Sequence, residues 1–186
     1  DPTGRNDRAE ALIKYWSETE SPIKYGGSMA YYSSTKDEIH LPEKQDFVDM
    51  PEFYSTALHE IGHSTGHEKR LNRNLDGKFG SAEYAEEELR AEIASMFLEQ
   101  DLGVAASEKH IENNSAYISS WKNGIEEDPN VLFKAIADAE RMTKFVMAKE
   151  KEIKRETEPF AVVEETDEYG ETVYKVKMCA EYGQTQ

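Results

Sequence analysis

Between Asp7 and Trp16 the apolar positions Ala9, Leu12, Ile13 and Trp16 recur near i, i+3, i+4, i+7 spacing, which predicts a helix with one buried stripe. The Gly26-Gly27 pair breaks the chain after it. Two short extended segments are expected next, Ser28 to Ser33 and Glu38 to Leu41, joined by the turn-prone Ser34-Thr35-Lys36-Asp37 and stopped by Pro42. Asp49 and Pro51 mark the start of a helix that carries Phe53, Tyr54, Ala57, Leu58 and Ile61 and weakens at Gly66. The polar stretch from Lys69 to Gly80 reads as a loop. Ser81 is placed to cap a helix that runs toward Asp101, ends at Gly103 and buries Leu89, Ile93, Met96 and Phe97.

Further along, Ser107 to Asn123 reads as a helix carrying Tyr117, Ile118 and Trp121, and Asp128-Pro129 opens a long one through Leu132, Phe133, Ile136, Phe145 and Val146. From Lys149 to Glu158 the composition becomes a charge run, read as a solvated helix end or linker. Phe160 to Thr166 and Thr172 to Met178 form a hairpin pattern around Asp167 to Glu171, with Gly170 suited to a positive φ. The expected organisation is a helix-rich body with a small N-terminal sheet over residues 1–150, followed by a linker and β-hairpin appendage over 151–186.

Composition narrows the function classes. The 22 Lys and Arg against 38 Asp and Glu leave a net charge of −16, which repels a phosphate backbone, so no direct nucleic-acid binding is expected. No apolar run approaches a membrane span and no signal peptide opens the chain. The single cysteine, Cys179, excludes an internal disulfide framework and fits a reducing, cytoplasmic setting. A start at Asp1 rather than Met reads as a piece of something longer.

The chemistry concentrates at His59-Glu60-Ile61-Gly62-His63. Four residues is slightly more than one helical turn, so both imidazoles leave one face and can share a zinc ion. Glu60, beside them, is free to act as general base on a zinc-activated water and then to pass the proton to a leaving amine. A catalytic zinc needs a third protein ligand. The metzincin pattern puts it six residues after the second histidine, where this chain has Lys69. His67 is one candidate, but a straight helix carries it past the metal. Glu88 and Glu92 share a face of the next helix in the gluzincin arrangement. Glu88 is assigned to zinc, and Glu92 to the free ring N–H of a ligating imidazole near His59. Glu92 and His67 remain alternatives as ligand, because helix phase alone does not choose. Glu83, Glu86 and Glu87 read as ordinary surface residues.

Tyr84, one turn before Glu88, is a candidate donor to a developing oxyanion, although a tyrosine at the edge of the core reads the same way. Tyr54, Trp16, Tyr117 and Trp121 read as packing, and His40, near a strand edge, and His110 as surface or capping histidines. Glu38 to Leu41 offers an edge strand along which an extended peptide substrate would lie.

The run His59 to His67, then Arg70-Leu71-Asn72-Arg73, resembles the zincin-like metallopeptidase domain of ArdC-type antirestriction proteins and of TraC-primase and LtrC-like proteins of mobile elements. Ala30-Tyr31-Tyr32, Asp37-Glu38-Ile39 with Pro42, Tyr84 to Phe97 and Tyr117 to Trp121 extend the likeness over roughly residues 5 to 148. The resemblance implies a zincin-type α+β fold and a zinc-dependent peptidase acting on a protein or peptide substrate. It also implies fusion behind a single-stranded-DNA-binding domain, and a role in processing or binding host defence proteins or proteins that enter with transferred DNA. Ser64 departs from the aromatic residue usual in the family and is expected to alter the pocket wall. Two other readings compete: a non-catalytic zinc-stabilised partner-binding module, for which a carboxylate at Glu60 has no use, and an acidic DNA mimic, which leaves the histidines unexplained.

Overall fold

Asn6 starts the first helix by accepting the Ala9 N–H on its side chain at 2.9 Å, satisfying one of the donors a helix start leaves unpaired. The computed structural model describes residues 4–105, 128–157, 160–167 and 169–178. Helix α1 (Asp7–Thr19) buries Ala9, Leu12, Ile13 and Trp16 as its spacing predicts. A three-stranded sheet follows, made of β1 (Ile23–Tyr25), β2 (Tyr31–Ser33) and β3 (Glu38–Leu41) in the order β1-β3-β2. β1 runs parallel to β3, with Ile23 opposite Ile39, and β2 is antiparallel to it, with Tyr31 opposite His40. The expected edge strand Glu38–Leu41 is therefore central. Both its ladders are filled, and β1, which a three-residue segment did not announce, is the reason.

Asp49 caps α2 (Met50–Ser64) through a 2.8 Å bond to the Glu52 N–H, with Pro51 in the first turn. Ser81 caps α3 (Ala82–Leu102), and Gly103 closes it in the left-handed region at φ 71°. Helix α4 (Asn130–Thr157) lies against α3 and α1. The main core gathers Trp16, Ile39, Leu41, Phe53, Tyr54, Leu58, Ile61, Leu98, Leu102 and Val146. A second cluster joins Leu89, Ile93 and Ala94 of α3 to Ala135, Ala139 and Met142 of α4.

Helix α3 thus buries two faces rather than the single stripe expected. Leu89 and Ile93 meet α4, and burial then passes to Leu98 and Leu102 on the main core, leaving Met96 39% exposed between them. The charge run from Lys149 is the continuation of α4, not a free linker at its start. Glu150 holds Arg8 through two bonds (2.5 and 2.9 Å), Lys149 meets Glu20 at 2.7 Å, and Tyr15 donates to Glu152 at 2.6 Å. The boundary expected at residue 150 falls inside this helix. The expected hairpin forms from β4 (Phe160–Thr166) and β5 (Thr172–Met178), antiparallel, with Val162 opposite Val176. The helix expected at Ser107 to Asn123, with Tyr117, Trp121 and His110, and the lone Cys179, lie outside the described residues. No helix among the described residues is long and apolar enough to cross a membrane.

Candidate metal centre

One face of α2 packs its apolar residues into the core, and the adjoining face turns His59 and His63 toward α3, with Glu60 beside them. The two helices run antiparallel and close together. At Gly62 the backbone of Ala91 comes within ordinary contact distance of where a Cβ would stand, 3.6 Å. With α3 that near, each ring meets a carboxylate at its Nδ1: His59 faces Glu92 at 3.1 Å, and His63 faces Glu87 at 3.3 Å. An Nδ1–H donated to a carboxylate leaves the Nε2 lone pair for a cation.

The two Nε2 atoms point at each other across 3.1 Å. Glu88 closes the triangle, 3.5 Å from His59 Nε2 and 3.4 Å from His63 Nε2. Ligand atoms of His59, His63 and Glu88 all lie within 4.8 Å of one another. Bonds of about 2.0–2.1 Å at tetrahedral angles separate neighbouring ligand atoms by roughly 3.3 Å, so the spacing suits a small divalent ion. The electrostatics suit one too. Burial disfavours charge on His59, but Glu88 and Glu92 outweigh it and raise the ring to about 10. His63 is also raised, Glu87 and Glu88 overcoming its burial. Burial pushes Glu88 up, yet the two rings hold it well below the usual carboxylate range. The surrounding carboxylates thus favour positive charge at this point, whether on the rings or on a cation between them.

Glu60 is 7% exposed; burial raises its carboxyl against the lowering pull of both histidines, and the nearby backbone N–H of Tyr32 in β2 lowers it as well. A cavity of about 330 Å³ opens over the group, walled by Tyr31 and Tyr32 on one side and by Leu75, Gly77 and Tyr84 on the other. The strand bordering it is β2, not the central β3. Tyr84 stands in the first turn of α3 on that wall, its ring 5.3 Å from the Phe79 ring. Gly77 is pressed onto the same turn; a Cβ there would lie 2.5 Å from the Tyr84 nitrogen.

His67 is not part of the group. Helix α2 ends at Ser64, and the following turn carries the His67 ring to Asp37, 3.5 Å away. Glu92 sits on the far side of His59 from Nε2. His40 stacks on Tyr31 at 4.6 Å and pairs with Glu38 on the outer face of the sheet. Ser64, one residue after His63, faces the opposite way. It is fully buried and accepts the Trp16 indole N–H at 3.1 Å, so it belongs to the core rather than the pocket wall. Tyr54 is buried and donates to Glu10 at 3.0 Å.

Glu83 is exposed and Glu86 pairs with Arg90, as surface residues do. Glu87, read the same way from the sequence, is instead 7% exposed and bridges His63 to Arg73. Helix phase gave no signal for it: on antiparallel helices, one turn forward from His59 to His63 is one turn back from Glu92 to Glu88, one residue past Glu87. Arg73, Arg70, Asp37 and Tyr32 carried none either, because loop contacts do not follow a helical period.

The profile of the zincin-like metallopeptidase family matches residues 7–138. The DNA primase TraC of Escherichia coli is 42% identical over 158 residues, 84% of this chain but 14% of that protein. The uncharacterized protein y4eC of Sinorhizobium fredii is 32% identical over 149 residues, covering 80% of this chain and 48% of the other. Among solved structures, the Mn(II)-bound antirestriction protein ArdC of plasmid R388 superposes with a TM-score of 0.66 at 29% identity, over 80% of this chain and 54% of ArdC. The metal-free form of ArdC gives 0.63. The chain spans about a seventh to a half of the lengths of these proteins. With that profile running from α1 through the metal centre into α4, the chain belongs to the zincin-like metallopeptidase family.

Proposed function

We propose that this chain is a zinc-dependent peptidase module of a larger mobile-element protein, with His59, His63 and Glu88 as ligands and Glu60 as general base. The observation that carries the reading is the convergence of two Nε2 atoms and one carboxylate at 3.1–3.5 Å beside a buried, uncoordinated Glu60 under an open cavity. A divalent ion held there would act as Lewis acid, activating a water and polarising a peptide carbonyl. Glu60, inside the cavity wall, is placed to take a proton from that water and return it to the departing nitrogen. Its burial and raised carboxyl bring it closer to the basicity such work requires. Glu92 and Glu87 hold the ligand rings by their Nδ1 atoms, and Tyr84 on the opposite wall is the candidate oxyanion donor. An extended polypeptide has a wall to lie along in β2.

The relatives set the context. One is a DNA primase and one an antirestriction protein, so the module's polypeptide substrate is sought among proteins that meet transferred DNA. The charge of −16 argues against this piece gripping the DNA itself. The test is Glu60→Gln in the metal-loaded protein. Stoichiometric zinc should remain while cleavage of an unfolded polypeptide is lost, and undiminished turnover would remove Glu60 from the mechanism. His59→Ala and His63→Ala should each abolish stoichiometric metal by elemental analysis.

A further inference from the structure

The segment after α2 does more than connect it to α3. Arg70 and Arg73 both fold back on the C-terminal turn of α2 and donate to its carbonyls, adding to the backbone N–H each already accepts: Arg70 to Ser64 O at 2.6 Å, Arg73 to Gly62 O at 3.0 Å. From that shared footing they reach opposite walls of the site. Arg73 grips Glu87 with two bonds, 2.7 and 3.2 Å, and also donates to Thr65 Oγ1 at 2.7 Å; Glu87 in turn faces His63 Nδ1. Arg70, its side chain only 2% exposed, pairs with Asp37 in the β2–β3 turn and donates to Glu20 O at 3.0 Å. Asp37 also accepts the Tyr32 hydroxyl at 2.8 Å, and Tyr32 lines the cavity with Glu60, its backbone N–H near that carboxyl.

We propose that Arg70 and Arg73 are positioning residues that divide the site between them: Arg73 sets the grip on the cation through Glu87 and His63, and Arg70 sets the strand that holds Glu60 through Asp37 and Tyr32. The Arg73 arm rests on the ligand set proposed above. A planar guanidinium is suited to each task. It fixes a carboxylate by two parallel bonds and still has donors left for the helix carbonyls, which an ammonium does not match. The two arms share no side chain, so they are separable.

The experiment measures two quantities on Arg70→Met and Arg73→Met: the dissociation constant for Mn2+ by calorimetry, and hydrogen exchange of the Tyr32 amide in the metal-free protein. Arg73→Met should weaken Mn2+ binding about tenfold or more, the usual loss when the partner of a ligating histidine is released, and leave Tyr32 protected. Arg70→Met should do the reverse, with faster Tyr32 exchange and Mn2+ affinity within about twofold of the original. Arg70→Lys and Arg73→Lys, which keep the charge without the fork, stand in for any methionine variant that fails to melt cooperatively and should shift in the same directions by less. Parallel loss of both quantities in both variants, or no change in either, would overturn the division. A starting protein that binds no Mn2+ would overturn the ligand set and the Arg73 arm with it, whereas binding that survives Arg73→Met overturns that arm alone.

Discussion

His59 and His63 use both ring nitrogens, one toward a carboxylate on α3 and one toward the position a cation would take, and this double use makes their behaviour testable. Glu88→Ala removes a proposed ligand and should weaken metal binding more than Glu92→Ala, which releases a ring but leaves it a donor; the reverse order would exchange the two roles. The sign of the pH dependence follows from the raised rings. The folded His59 value, about 10, lies above the unfolded value near ~6.5, so the stability from its carboxylate partners is complete below about pH 6.5 and fades as pH rises through 10. Protons and a cation compete for the same nitrogens, so Mn2+ affinity should climb between pH 6.5 and 9, and a flat profile would show that the rings hold no proton to surrender. Much of this was readable in advance. The four-residue step from His59 to His63, with Glu60 beside them, needs only a helix, and Glu88 and Glu92 need only a second one. Glu87 was hidden because it is one of a row of glutamates, and only the neighbour that α3 packs against tells which of them is inside.

The elements themselves were legible where capping chemistry announced them. Asp49, Ser81 and Gly103 each stand where the chain enters or leaves a helix, and their side chains or backbone angles do the capping. Short strands give less away. Ile23–Tyr25 has too few residues for alternation to show, and its parallel pairing with β3 depends on the chain reversing twice, before and after β2. The contact between the loop and the start of α3 is equally tertiary, and it yields a clear test. Gly77→Ala forces a Cβ into the Tyr84 backbone, so the loop must shift, and we expect a loss of about 1–3 kcal/mol in urea unfolding together with a reshaped cavity wall. The β2–β3 turn is held by Asp37. Burial pushes its carboxyl up, but the Arg70 and Tyr32 bonds prevail and keep it below the usual range. That contribution is present above pH ~3.9 and is lost as pH falls through the depressed folded value. Asp37→Asn should cost about 3 kcal/mol at pH 7, because it leaves a guanidinium buried without its counter-charge, and should flatten the acid limb of the stability profile.

The molecule as a whole carries a charge of −16, which concentrates cations around it and makes association with a basic polypeptide faster at low salt than at high. A cation that binds only the folded state adds about 2.7 kcal/mol when present at 100 times its dissociation constant, so the melting temperature should rise with added Mn2+ or Zn2+ and fall back with a chelator. The same rise in the His59→Ala, His63→Ala double variant would place the binding elsewhere. Among the described residues the β4–β5 hairpin pairs chiefly with itself, so a chain ending at residue 157 should retain this response. A final consequence comes from Glu87 and Glu88, consecutive residues that serve different atoms of the site. Adding or deleting a single residue between Ser81 and Glu92 would rotate everything beyond it by about 100°, trading one carboxylate for the other and carrying Glu92 off His59. Length variation is thus barred from the opening turns of α3, where it would change which carboxylate meets which ring.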